Sequence, residues 1–316
     1  MAAAANIAQG SRGFVSDVFA AVTLGLIAGW YYILVCLFPI LAYAACVHRS
    51  ASAAVALAML VADACLPYAP PALAPNAFGR SWVFDAWRAY FGWEMVVEQP
   101  LDPSQRYLLA EFPHALYPIG QLLSYGVIEH ISQHHKVSGV VASVLLHTPV
   151  LRHFYYATGT RAADAKSIQR ILAEGGNAAV VVGGIAEMFM DTSDAERIFL
   201  RQRQGFVRLA MREGAHIVPI FFFGNTRTMQ KLNSPLLRAI SRKVKASIVL
   251  FYGRWGLPVP FRHPIKMVVG RPIVVMKSAQ PTEDDVAETL GRVVDAIAAL
   301  YAAHRPAWET RPLVIE

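Results

Sequence analysis

The stretch 107-YLLAEFPHALYPIG-120 begins as a run of aromatic and apolar residues broken by one acid, and it ends in a loop that carries a histidine between two prolines. The first part predicts a buried strand from Tyr107 to Phe112. Pro113 and Pro118 fix φ on either side of His114, and each restricts the residue before it, so the loop displays the imidazole from a stiff frame. A neutral imidazole takes up protons near pH 7, which makes His114 a candidate general base; the alternative is a structural histidine bonded to backbone. Further strand-like runs follow at 178-AAVVV-182, 217-IVPIFFF-223, 248-IVLFY-252, 267-MVV-269 and 273-IVV-275. Helical patterns alternate with them at about residues 162–174, stopped by Gly175-Gly176, at 204–213, stopped by Gly214, and from Thr282 to about His304, with acids 283-EDD-285 in the first turn. This alternation predicts an α/β domain over residues 100–316, a sheet flanked by helices.

The N-terminal part has a different character. Residues 18-VFAAVTLGLIAGWYYILVCLFPILAYAACV-47 carry no charge over a length that exceeds the ~20 residues a helix needs to cross a bilayer. A second apolar run, 51–67, is interrupted by Asp63 and closed by 67-PYAPPALAP-75. Together they predict a membrane-anchoring region, 1–79, built as a hairpin bent near Pro39 and His48-Arg49 with a re-entrant second leg. A cleaved signal peptide fits less well, because Arg12 alone precedes an apolar run far longer than a signal needs. Residues 80–99 mix aromatics with charges at helical spacing and predict an interfacial amphipathic helix. The chain is 55% hydrophobic and 16% charged with mean hydropathy +0.38, which agrees with a membrane protein. Gly25 and Gly29 form a GxxxG suited to close helix packing, which leaves a homo-oligomer open.

Charge is concentrated late. Between Arg197 and Lys277 stand 16 basic residues and a single acid, Glu213, so this block is expected to face an anionic group such as a cofactor phosphate or an acidic membrane surface. Nucleic acid ranks last, since the block is interleaved with core-like strands and no zinc-finger, RRM or zipper pattern accompanies it. Arg208 and Arg212 share one helix face and suit phosphate oxygens; an ordinary solvated face is the alternative. Arg227 and Lys231 follow the Gly224-Asn225 loop.

The chain has no GxSxG elbow, no phosphate-binding glycine loop of the Walker type, no GxGxxG after a strand and no HExxH. Its three cysteines, Cys36, Cys46 and Cys65, all precede the α/β part, so no cysteine nucleophile or ligand is available there. His130 and His134 have the i, i+4 spacing of zinc ligands but no evident third ligand, and no metal is expected. Glu187 lies in 180-VVVGGIAEMF-189, just past a strand, where Gly183 and Gly184 permit a tight turn. Two strand-end loops can meet at one site, where Glu187 either orients His114 through its second ring nitrogen or bonds an acceptor hydroxyl; a solvated loop carboxylate is the plain alternative.

Taken in order, 112-FPHALYPIG-120, 148-TPVLRHFYYATGTRAADAKSIQRILAEGG-176, 183-GGIAEMF-189, 203-RQGFVRLAMREGAHIVPIFFFGN-225 and 269-VGRPIVV-275 resemble the diacylglycerol acyltransferase 2 family, which includes monoacylglycerol and wax-alcohol acyltransferases. The likeness covers most of residues 80–304. It implies a glycerolipid-acyltransferase-like sheet, His114 and Glu187 as catalytic residues, and substrate contacts at Phe112, Pro113, Gly183, Gly184, Arg208, Arg212, Asn225 and Arg227. It further implies acyl-CoA as co-substrate, diacylglycerol as acceptor, no cofactor, and residence on the endoplasmic reticulum membrane or a lipid droplet surface. Monoacylglycerol or a long-chain alcohol stays open as acceptor, and a non-catalytic hairpin protein of lipid droplets is the reading from another class. Phe112 stands where many animal and fungal members have a histidine, and Ala115 where they have a glycine. The position five after His114 is Ile119, not the aspartate of the more distant glycerolipid acyltransferases.

Overall fold

The long apolar run folds as one helix, α1 (Phe14–Cys46), and the second as α2 (Ala51–Cys65), whose first turn is capped by the Ser50 hydroxyl. The computed structural model describes residues 13–73, 76–131, 136–232 and 249–316. Pro39 does not bend the hairpin as expected: α1 continues through it, and the chain reverses only at residues 47–50, where Arg49 takes φ +47°. Among the described residues α1 is the one helix long and apolar enough to cross a membrane, by length and composition. Its N-terminal half, however, lies on the rest of the protein. Ala20, Ala21, Leu24, Gly25, Ala28 and Gly29 form a buried stripe at helical spacing. Trp87 Nε1 donates to Thr23 Oγ1 at 2.8 Å, and Arg262 pairs with Asp17 at 2.9 Å. A Cβ on Gly25 would come within 2.8 Å of Val259, and one on Gly29 within 2.6 Å of Pro258. The GxxxG therefore packs against this chain's own 258–259 segment, and a homo-oligomer gains no support from it.

The remaining helices are α3 (Trp82–Phe91), α4 (Ile119–Ser124), α5 (Leu151–Ala157), α6 (Ala165–Ala173), α7 (Ile185–Phe189), α8 (Gly205–Glu213) and α9 (Glu283–His304). The strands are β1 (Glu94–Val97), β2 (Tyr107–Phe112), β3 (Val137–Val141), β4 (Arg161–Ala162), β5 (Asn177–Val181), β6 (Glu196–Ile198), β7 (His216–Phe223), β8 (Gln230–Lys231), β9 (Phe251–Tyr252), β10 (Lys266–Val269) and β11 (Leu313–Ile315). Seven of them form one sheet in the order β1-β10-β7-β2-β5-β3-β4, parallel except where β10 meets β7. The expected α/β architecture, a sheet flanked by helices, is what the chain adopts.

Two regions depart from the sequence reading. The helix expected over 80–99 stops at Gly92, which takes the left-handed conformation (φ +58°), and residues 94–97 then join the sheet beside β10, so the sheet begins before residue 100. This α3 is also largely buried, with Phe84, Trp87, Tyr90 and Phe91 each 2% exposed or less. The described part of the run 248–252 yields only β9, in a small hairpin with β8, and 273–275 contributes a single bridge from Ile273 to Ile217.

Along β2 the side chains alternate between two cores. Leu108, Ala110 and Phe112 face the layer containing α6, α8 and α9, whereas Tyr107 and Leu109 face the layer formed by α1, α3 and α4. Beside β2, Phe221, Phe222 and Phe223 of β7 fill both layers at 1% exposure or less, and each contributes about 2 kcal/mol by leaving water. The centre of the sheet is thus rigid, and the loops leaving β2, β5 and β7 emerge from neighbouring parallel strands at one edge, the usual place for a site in such sheets.

Candidate active site

Three loops meet there: residues 113–118 after β2, Gly183-Gly184 after β5, and Gly224-Asn225 after β7. Asn225, fully buried, ties the third to the first. Its Nδ2 donates to the Pro113 carbonyl at 2.9 Å and to Gln121 Oε1 at 3.1 Å, while its Oδ1 accepts the Gly120 N–H at 2.9 Å. Gln121 Nε2 donates to the same Pro113 carbonyl. With these bonds made, the loop carrying His114 has little freedom. The Phe112–Pro113 peptide is cis, and Ala115 takes φ +58°, a left-handed conformation that disfavours a side chain. A glycine, expected here from many animal and fungal members of the resembled family, would meet that backbone demand without strain.

His114 is partly buried, and its Nδ1 lies 2.8 Å from the Ala115 carbonyl oxygen. A carbonyl only accepts, so the proton of the neutral ring sits on Nδ1 and Nε2 keeps its lone pair. Burial holds the imidazole below its ordinary 6.5, against the pull of the Ala115 carbonyl. At neutral pH the ring is therefore uncharged, with Nε2 able to take a proton.

Glu187 reaches this loop but not the ring. Its Oε2 accepts the backbone N–H of His114 at 2.5 Å and its Oε1 accepts that of Phe199 at 2.8 Å, so the carboxylate clamps two chain segments. The expected contact with the imidazole is not made, because the second ring nitrogen is occupied by the Ala115 carbonyl. Burial raises the Glu187 carboxyl to about 7, while the two N–H donors pull the other way. Gly183 makes the arrangement sterically possible: a Cβ there would lie 1.9 Å from the Glu187 carboxyl carbon. Gly184, at φ +58° and ψ −151°, occupies a region open essentially to glycine alone. Arg203, not singled out from the sequence, donates to the Gly183 carbonyl at 2.8 Å and holds this turn from outside.

A cleft of about 640 Å³ opens beside the loop. Ala115, Leu116 and Glu187 form one wall, and Arg227, Lys231 and Arg311 bring positive charge to it. Met188, Met190, Met229 and Phe261 supply an adaptable apolar lining. Arg227 pairs with Glu309 at 2.8 Å, and Arg311 is held by Glu309 and Glu196, each at 2.6 Å. The Lys231 ammonium donates to the carbonyls of Phe189 and Met190. Glu196, Glu309 and Arg311 were not legible beforehand, since they are brought together from β6 and the segment after α9.

Several expected substrate contacts move elsewhere. Phe112 is fully buried in the core on the α6, α8 and α9 side, a consequence of strand alternation, and does not line the cleft. Arg208 pairs with Glu283 at the start of α9, and neither it nor the exposed Arg212 lines the cleft. Four members of the basic block are paired with acids from outside it: Arg197 with Asp194 and Glu316, Arg208 with Glu283, Arg227 with Glu309 and Arg262 with Asp17. Part of it, 233–248, lies outside the described residues, as does His134 of the histidine pair.

A model of the diacylglycerol acyltransferase family matches residues 72–316. The chain belongs to this family. Diacylglycerol O-acyltransferase 2 of Xenopus tropicalis is 31% identical over 270 residues, covering 78% of this chain and 74% of that protein. 2-acylglycerol O-acyltransferase 1 of Bos taurus is 28% identical, covering 72% and 73%. Acyl-CoA wax alcohol acyltransferase 2 of Mus musculus is also 28% identical, covering 75% and 78%. Among solved structures, the 1-acyl-sn-glycerophosphate acyltransferase of Thermotoga maritima aligns at TM-score 0.41 and 12% identity over 90% of this chain and 98% of that one. The protein is thus an acyltransferase of lipid metabolism, of the diacylglycerol acyltransferase 2 type.

Proposed function

We propose that the chain transfers a fatty acyl group from acyl-CoA to the free hydroxyl of diacylglycerol, giving triacylglycerol and CoA. The observation that carries this reading is the neutral His114, whose Nδ1–H is engaged by Ala115 and whose Nε2 is left basic in a loop held by Asn225 and Glu187. In the step proposed, Nε2 removes the hydroxyl proton as the oxygen attacks the thioester carbonyl. Collapse of the tetrahedral adduct breaks the C–S bond, and the CoA thiolate leaves with the proton from the imidazolium. Glu187 acts as a positioning residue. Arg227 and Lys231 are the proposed phosphate contacts of acyl-CoA, because they stand on the cleft beside the loop. No metal or redox group is needed for these bond changes. The α1–α2 hairpin is proposed to hold the enzyme on the cytosolic face of the endoplasmic reticulum and on lipid droplets.

The relatives' names divide among diacylglycerol, 2-acylglycerol and wax-alcohol acceptors at similar identity, so the acceptor is the point to test. Expression in a cell lacking neutral-lipid synthesis, followed by lipid analysis, should yield triacylglycerol. Accumulation of wax ester or diacylglycerol alone would reassign the acceptor, and lipid binding without any acyl transfer would favour a non-catalytic hairpin protein.

A further inference from the structure

Between β9 and β10 the segment 253–259 folds into a tight turn whose tip is apolar and outward-facing, with Trp255 69% exposed and Leu257 54%. Trp255 takes φ +59°, a conformation that glycine adopts freely and a bulky side chain only under strain. The Arg254 guanidinium covers one face of the indole at 4.3 Å and donates to the Tyr90 hydroxyl at 3.1 Å, so the ring is held outward from a fixed base. Four backbone N–H groups of the segment, those of Gly253, Arg254, Gly256 and Leu257, donate to carbonyls within it. A turn that satisfies its own backbone in this way leaves water at low cost.

The turn is fastened at both ends to α1. Pro258 and Val259 sit against Gly29 and Gly25, and the Tyr32 hydroxyl accepts the Phe251 N–H at 2.7 Å and donates to the Phe251 carbonyl at 2.9 Å. Away from its buried stripe, α1 presents Val15, Val18, Val22 and Leu26 at helical spacing, each 45% exposed or more. A second outward indole, Trp82 at 65% exposure, lies against Phe19 of this stretch with ring centroids 4.6 Å apart. The exposed apolar surface continues along α1 into the free arm of the hairpin, where Val35, Ile40 and Tyr43 are more than half exposed. That continuity identifies the cover as lipid. A water-facing turn gains nothing from a tryptophan in this conformation, whereas an indole, apolar with one N–H donor, suits the headgroup level of a membrane.

We propose that the 255–257 tip is a second membrane contact, made by the catalytic domain itself, which places Trp255 and Leu257 in the headgroup region beside α1 and, with Trp82, fixes the face that the domain turns to the lipid. The assignment rests on the seating of the hairpin in lipid proposed above, and not on the acceptor or the transfer step. The segment is bounded by Tyr252 and Phe261, two residues of the cleft wall whose rings lie 6.4 Å apart. Lipid contact at the tip therefore brings the cleft to the membrane surface, where an apolar acceptor is dissolved.

The test uses the full-length chain reconstituted in phosphatidylcholine vesicles. Tryptophan emission is read in plain and in acyl-chain-brominated lipid, and again with acrylamide as a quencher in the water. Trp255→Phe, which keeps an aromatic ring, should lose part of the brominated-lipid quenching, and Trp82→Phe should do the same. Trp30 of α1 remains in both variants and goes on reporting the hairpin. Leu257→Asp keeps all six tryptophans and puts a charge at the tip, so it should lower brominated-lipid quenching and raise acrylamide quenching as the tip lifts into water. Unchanged brominated-lipid quenching in Trp255→Phe overturns the proposal: a tip standing in water then shows as reduced acrylamide quenching, and a tip covered by a second copy of the chain as no change with either quencher. Leu257→Asp with both values at the parent's level overturns it as well. A parent that brominated lipid does not quench removes the hairpin reading and this proposal together, whereas a quenched parent with insensitive variants removes this proposal alone.

Discussion

The Glu187 carboxylate accepts the backbone N–H of His114, not a proton of its ring. A glutamine at this position keeps the shape but has one acceptor oxygen for two N–H donors, His114 and Phe199, so one donor is left facing an amide N–H. Glu187→Gln should therefore lower the unfolding midpoint by roughly 5 °C, corresponding to about 2 kcal/mol, and reduce kcat more than it raises the KM for acyl-CoA. Parallel thermal and kinetic measurements on the variant check this; unchanged stability with lost turnover would point to a direct chemical role instead.

His114→Ala should reduce acyl transfer by about 10³-fold while membrane association and stability persist. Because the ring must be neutral to act, and burial holds its pKa below the ordinary 6.5, kcat should rise with pH along a limb whose midpoint lies below 6.5. A single ascending limb in kcat, absent from the residual rate of the variant, is the expected profile.

Stability should follow the opposite course. Glu187 and Glu111 have folded-state values raised to about 7 and about 8, above the roughly 4.3 of an unfolded glutamate. Between those values the folded chain binds more protons than the unfolded one, so their contribution is full below about pH 4.3 and is lost progressively until pH has risen through 7 to 8. Unfolding midpoints measured from pH 5 to 8.5 should fall from the start of that range and level off once pH passes about 8, and Glu111→Leu should flatten the fall.

Replacing Arg227 or Lys231 by glutamine should raise the KM for acyl-CoA by several-fold to about 10-fold, since each removes a cation from the cleft. Replacing Arg208 and Arg212 together should change it less than about 2-fold, because neither lines the cleft and Arg208 is held by Glu283. Steady-state kinetics at 0.1 M and 1 M salt would separate contact in the cleft from attraction to the membrane surface, which weakens as the Debye length falls from ~10 Å to ~3 Å.

Gly25→Leu and Gly29→Leu should lift α1 from Val259 and Pro258 and so destabilise the chain, without altering its state of association. Thermal unfolding and cross-linking in the membrane distinguish the outcomes. A change in cross-linked dimer with unaltered stability would return these glycines to an intermolecular role.

What could be seen in the sequence was what local pattern determines. β2, β7, α8 and α9 follow from apolar periodicity, glycine stops and an acidic first turn, and the same reading, joined to the family resemblance, singles out His114, Glu187 and the glycine turn as candidates, which the fold brings to adjoining loops. What escaped it depends on partners far along the chain. Asn225 reaches Pro113 across 112 residues, so its service to the His114 loop cannot be read from its neighbours. The basic block looked unpaired because its acids lie outside it, as at Arg227 and Glu309. β1 reads as the end of a helix because EMVV follows an aromatic amphipathic run, and only pairing with β10 makes it a strand. Glu111 did leave a visible trace, a lone acid in an apolar strand.

The docking of α1 has a topographic consequence. The helix is about 50 Å long, yet its first half is occupied by the protein's own surface, Trp30 and Tyr32 just beyond still bond to Pro149 and Phe251, and the remainder returns through α2 to Asp63, which accepts the Val150 N–H and pairs with His153 of α5. The free arms are each some 25 Å or less, shorter than a ~30 Å hydrocarbon core, and both begin and end at the same protein body. Such an anchor needs water on one side only. By its length it is as compatible with a single phospholipid layer over an apolar phase as with a bilayer.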